Sequence, residues 1–179
     1  MLELDKQALI WINSHHSVAL DAVLAPIAHA GEAGMLWFAV SLGLLIFGKR
    51  EAKMTGLRLA LTILLVDRLI VHPLGAAFHR TRPYLALASV REIGVHWHGT
   101  SFPSAHAHSA WIAALILGDR CPRLIIPLVA FALLTCYSRP YFGMHYPLDV
   151  IAGSAIGIAA GTAVVIARRV WARRKAETR

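Results

Sequence analysis

Charge in this chain is concentrated in short clusters between long apolar runs, and that segregation leaves few folds open. A bilayer offers no water to unpaired backbone groups, so apolar runs of this length are expected to cross it as helices. A composition of 57% hydrophobic and 16% charged residues departs from that of a soluble domain in the same direction. We therefore expect an all-α, polytopic membrane helix bundle with five spans, at 34–48, 55–78, 104–118, 123–138 and 147–170. A chain of 179 residues makes this a single membrane-embedded domain, 1–179.

Residues 1–30 fit the pattern less well, because Asp5, Lys6, Asn13, His15, His16 and Asp21 interrupt it. An interfacial helix followed by a short dipping segment is the expectation there, and a sixth span through 9–29 is the alternative. Met1-Leu2-Glu3-Leu4-Asp5 has no basic start and reads as no signal peptide. With five spans, one side collects Lys49, Arg50, Lys53, Arg58, Arg120 and Arg123. The basic tail 168–179 joins them there. The other side holds Arg80, Arg82, Arg91 and Arg139. The bias of basic residues places the first set in the cytoplasm and the second outside. A net charge of +8 forms no stripe interleaved with aromatics, so nucleic acid is not an expected partner.

Three motifs fall at span ends on the outer side: Arg82-Pro83, Pro103-Ser104-Ala105-His106, and Ser138-Arg139 followed by His145 and Asp149. Two arginines, two histidines, a serine and a carboxylate can hold a phosphate, attack it and protonate its leaving group. His145 and Asp149 are four apart, which on one helix would share a face and let the carboxylate fix the imidazole tautomer. Upstream, Arg68, His72, Gly75, His79 and Arg82 recur at steps of four and three, a stripe that Pro73 could kink.

These motifs resemble the type 2 phosphatidic acid phosphatase superfamily, the lipid phosphate phosphatases. Its pattern is Lys-x6-Arg-Pro, Pro-Ser-Gly-His and Ser-Arg-x5-His-x3-Asp. The third motif matches throughout, Ala105 stands for the glycine of the second, and Gly75 stands for the lysine of the first. The run Gly143-Met144-His145-Tyr146-Pro147-Leu148-Asp149 and the opening Ile10–His16 are most similar to the bacitracin-resistance-type undecaprenyl-diphosphate phosphatases.

The resemblance implies a metal- and cofactor-independent hydrolase of the bacterial plasma membrane, with its site facing outward. His145 would be the nucleophile that forms a phosphohistidine, His106 the general acid, and Asp149 the group orienting His145. Arg82, Ser104 and Arg139 would bind phosphate, with His79, or less directly His72, taking the part of the missing lysine. The implied substrate is undecaprenyl diphosphate. Alternatives are phosphatidylglycerol phosphate, phosphatidic acid, a lipid A phosphate, or phosphoryl transfer to a second lipid.

Three further features carry expectations. Gly153, Gly157 and Gly161 continue the His145–Asp149 spacing and are expected to pack the last helix closely, with homodimerisation as a second use. His96, His98, His106, His108, His79 and His145 raise the rival of a metal site or metal transporter, which the scarcity of carboxylates in the motifs disfavours. Cys121 and Cys136 are about 22 Å apart along one helix and are expected to be free thiols.

Overall fold

A computed structural model describes residues 3–30, 34–93 and 99–178, most of them helical and with no strand among them. Two short helices open the chain, α1 (Glu3–Ser14) and α2 (Val18–Ala30), followed by α3 (Met35–Phe47) and α4 (Arg50–Val66). A π turn over Asp67–Val71 joins α4 to α5 (His72–Phe78). After the short α6 (Pro83–Ala86) come α7 (Ala105–Arg120), α8 (Ile125–Tyr141) and α9 (Pro147–Glu177). The helices coincide with the five expected spans. The break at His15–Ser17 between α1 and α2 rules out one continuous helix through 9–29. Both cysteines are free thiols.

By length and hydropathy Arg50–Ala86, Pro122–Tyr141 and Pro147–Glu177 each suffice to cross a membrane, and α2 with α3 would make a fourth if counted as one bent unit. Leu61, Leu65 and Leu69 on the α4 rod, Ile126 and Leu133 on α8, and Ile151 and Ile166 on α9 are exposed, as lipid-facing positions should be. Helix α7 is shorter, about 24 Å, and carries His106, His108 and Asp119. It is the central helix, packed on α9, α8 and α4, so its neighbours rather than lipid surround it.

Small residues make that central position possible. Ala110, Ala113 and Ala114 are buried in the main core with Leu59, Ile63, Ile112 and Ala132, and Ala107 is fully buried as well. Gly157 of α9 lies so close to α7 that a Cβ there would meet His108 O at 2.5 Å and His108 Cα at 2.7 Å. Gly153 and Gly161 are buried against the same helix. The glycine stripe is therefore spent inside the chain, and a second copy could not use Gly153, Gly157 and Gly161 without displacing α7. The close packing expected of the last helix is met by α7, which takes up the face that the second use, a homodimer, would need.

The π turn ends two residues before Pro73 and contains Leu69, the residue four before it. A proline ring clashes with the carbonyl four residues back and offers no N–H to it. One extra residue in the turn relieves both problems, so the rod runs on to Phe78.

Candidate active site

Local structure first brings the second and third motifs together. Ser104 is the N-cap of α7, its Oγ accepting from Ala107 N at 3.5 Å, and Ala105 is already helical, so no glycine is needed there. Ser104 N donates to Asp149 O at 3.0 Å, which ties the start of α7 to the start of α9. Pro140 and Gly143, the latter with φ 70°, turn the chain after α8 so that His145 lies just ahead of α9.

His145 is 2% exposed, and its Nδ1 lies 2.6 Å from Ser101 O. A carbonyl can only accept, so Nδ1 carries the proton and Nε2 keeps its lone pair. Arg82 Nη1 lies 3.2 Å from that Nε2 and also donates to Met144 O at 3.2 Å. Burial, reinforced by the Arg82 and Arg139 guanidinium groups, holds the His145 imidazole well below its ordinary pKa, so the ring is neutral at physiological pH. A buried neutral imidazole with a directed lone pair suits nucleophilic attack.

The expected Asp149–His145 hydrogen bond is not formed. Asp149 Oδ2 is 3.9 Å from His145 Nδ1, and the Ser101 carbonyl takes its place. The spacing argument fails because α9 begins at Pro147, which leaves His145 outside the helix and Asp149 at its third position. There Asp149 Oδ2 accepts from Tyr146 N at 2.8 Å, completing a capping box, and Oδ1 binds Arg80. Asp149 thus holds the peptide next to His145 and not its ring.

His106, in the first turn of α7, faces His145 with ring centroids 6.2 Å apart. Its Nε2 is buried and has no hydrogen-bond partner among the described residues. A cavity of about 660 Å³ opens onto both rings, and Arg82, His79, His72, Arg68 and Gly75 also line it. Ser104, Arg139 and Asp149 are buried beside the cavity and not on its wall. Arg139 Nε and Nη2 donate to Ser138 Oγ at 3.2 and 3.1 Å. Position 75 has no room for the family lysine, since a Cβ there would come 2.6 Å from Thr100 Oγ1 and 3.2 Å from Phe102 O.

Arg80, Asp5 and Ser101 were not expected at the site. Arg80 forks between Asp149 and Asp5, and its Cζ lies 4.0 Å over the Tyr146 ring. Asp5 Oδ1 also accepts from Leu148 N at 2.9 Å, so α1 is pinned to the start of α9. Asp5 stands beside Glu3, Lys6 and Gln7 in the first turns of α1, so nothing in the sequence singles it out, and the Ser101 carbonyl has no sequence signal either. Among the described residues no three His, Cys, Asp or Glu side chains converge as a metal site would need, and His96 and His98 lie outside the described residues.

Comparison with known proteins agrees with this geometry. The model of the PAP2 superfamily matches residues 56–173. Undecaprenyl-diphosphatase BcrC of Bacillus subtilis is 28% identical, over 83% of this chain and 75% of that protein. A lipid A 4'-phosphatase of Bacteroides thetaiotaomicron is 31% identical, over 98% of this chain and 82% of that protein. The crystal structure of Aquifex aeolicus LpxE superposes with a TM-score of 0.73 at 30% identity, covering 89% of this chain and 93% of that one. A phosphatidylglycerolphosphate phosphatase from Bacillus subtilis shares the fold at a TM-score of 0.72 and 24% identity, with 93% and 85% covered. A bundle of membrane-crossing helices with the two histidines on one cavity, matched over residues 56–173, places this multi-pass membrane protein in the PAP2 superfamily of lipid phosphatases.

Proposed function

We propose that the protein removes the terminal phosphate of undecaprenyl diphosphate through a phosphohistidine on His145. The observation that carries the reading is the facing pair His145 and His106 on one cavity, with a spacing that admits a single phosphoryl group between them. His145 Nε2 attacks phosphorus as the bridging P–O bond breaks, and the departing oxygen takes the bonding pair and a proton from His106. Water then attacks the phosphohistidine, gives a proton to His106 and releases inorganic phosphate. Arg82 on the cavity wall and the first-turn N–H groups of α7 stabilise charge on the pentacoordinate transition state, and Arg139 adds its positive charge from beside the cavity. His79, on the cavity wall, adds a further donor.

The long tail stays among Phe38, Ile63, Leu64 and Val71, which line the same cavity. The similarity to an undecaprenyl-diphosphatase supports the polyprenyl substrate. The similarity to a lipid A 4'-phosphatase supports a sugar phosphate as the second reading. The bias of basic residues supports a site on the outer face of a bacterial plasma membrane. An impermeant thiol reagent should then reach Cys121 only from the cytoplasm.

Purified protein assayed against undecaprenyl diphosphate, lipid A, phosphatidylglycerol phosphate and phosphatidic acid decides the substrate. On the preferred lipid His145→Ala should abolish turnover and the acid-labile phosphoenzyme. His106→Ala and Arg139→Ala should each cost about 100-fold or more. Near-normal turnover by His145→Ala overturns the mechanism.

A further inference from the structure

Helices α1 and α2 grip the two segments on which the site depends. Asn13, near the end of α1, is 4% exposed, and its amide nitrogen and oxygen are both engaged. Its Nδ2 donates to Arg91 O and to Tyr141 O, each at 2.8 Å, and its Oδ1 accepts from Arg91 N at 2.8 Å. The reversed amide would set its oxygen against two carbonyls, so the network fixes its orientation. Asn13 thus pairs with both backbone groups of Arg91 and caps the last residue of α8, whose carbonyl has no donor within its own helix. Helix α2 holds the same two residues a second time. Asp21 Oδ2 accepts from Arg91 Nη2 at 2.5 Å, and its Oδ1 accepts from the Tyr141 hydroxyl at 2.7 Å.

What is gripped is the join between the carriers of His145 and Arg82. The turn after Tyr141 runs through Gly143 to His145. Gly143 is packed so closely on the Arg91 segment that a Cβ there would meet Val90 Cγ1 at 2.5 Å and Arg91 O at 2.8 Å. Its carbonyl accepts from Tyr84 N at 3.2 Å, just after Arg82-Pro83. The two carriers therefore meet at Gly143, and the spacing they set is the 3.2 Å between Arg82 Nη1 and His145 Nε2. Asn13 itself is not on the cavity wall, so it can act on substrate only through these segments.

We propose that Asn13, backed by Asp21, is a positioning residue that holds His145 at its working distance from Arg82. The proposal rests on the phosphatase reading above and adds the N-terminal helices to the machinery of that site. An amide is the side chain that fits the task. A carboxylate has no donor to offer two carbonyls, and an alkyl group would leave three backbone groups without their partner. A turn released from Asn13 can shift His145 relative to the phosphate while Arg82 still binds it, and in-line attack is sensitive to that displacement.

The test uses purified protein and whichever lipid of the panel above wild type turns over fastest, at a temperature below the unfolding midpoint of every variant. Asn13→Ala should lower kcat about tenfold or more while KM stays within about twofold. Formation of the acid-labile phosphoenzyme in a single turnover should slow by the same factor. Asn13→Asp, equal in size but without the two donors, should lose as much, and Asn13→Gln, which keeps the amide on a longer arm, should lose less. Asp21→Ala should lower kcat about threefold. Asp21 is 25% exposed, so that variant tests the idea even where Asn13→Ala does not fold. A lower thermal midpoint with unchanged kcat, or a loss confined to KM, overturns the positioning role while leaving the phosphatase reading standing. A wild type that cleaves no lipid of the panel overturns both.

Discussion

Replacing Arg80 with alanine tests whether the clamp between α1 and α9 positions the nucleophile. The side chain is 15% exposed and its partners Asp5 and Asp149 are 2% and 0% exposed, so its removal leaves two buried carboxylates without a cation. Breaking a buried ion pair from one side costs about 3–5 kcal/mol. Each carboxylate keeps one backbone donor, from Leu148 N and Tyr146 N, and water reaches Arg80, so the low end of about 3 kcal/mol applies. For a domain of this size about 2–4 °C of thermal midpoint accompanies each kcal/mol, which gives a fall of about 6–12 °C. Activity should fall further than stability, because Tyr146 is the neighbour of His145 and a displacement near 1 Å can cost about 100-fold. Thermal unfolding in detergent, followed by tryptophan fluorescence, and phosphate release below the midpoint separate the two effects. Arg80→Lys should rescue little, since an ammonium cannot fork between two carboxylates. Asp5→Asn placed on Arg80→Ala should add less than it does alone. A midpoint within about 2 °C of wild type with full activity would refute the clamp.

Three more outcomes follow from the geometry. Gly157→Ala should cost about 1–3 kcal/mol, as overpacking does, because its neighbour is the His108 backbone; an unchanged midpoint would mean that α7 and α9 do not meet there. Gly75→Ala should lower activity by pushing Thr100 and the segment carrying Ser101 away from His145, and adding Thr100→Ala should recover part of the loss; no recovery would place the fault elsewhere. Because burial and two arginines keep folded His145 neutral, unfolded His145 binds its proton near pH 6.5 while the folded ring does not. The unfolded state then holds more protons, and stability falls as pH drops below that value. His145→Gln should lose less thermal midpoint between pH 7 and 5 than wild type, and an equal or larger loss would contradict the assignment.

Local pattern carried the parts of this protein that depend on neighbours in sequence. Apolar runs broken by basic clusters marked all five long helical segments, because hydrophobicity and helix period are written residue by residue. The motif chemistry was legible in the same way, and His145, His106, Arg82 and His79 do share a cavity. Gly153, Gly157 and Gly161 announced close packing, but the sequence left open whether the neighbour was α7 or another copy.

What tertiary structure alone decided is how side chains meet across long separations. The Asp149 spacing promised a bond to the His145 ring, yet where α9 starts moved that carboxylate to Tyr146 N and Arg80 and gave the ring to the Ser101 carbonyl. A backbone carbonyl has no signature in a sequence. Arg80 reaches Asp5 from the far end of the chain, Thr100 occupies the place a lysine at position 75 would need, and Asp67 meets His108. Each of those contacts depends on helix crossings and rotations set by the whole core, where a shift of one residue would rotate a side chain by about 100° and break the contact.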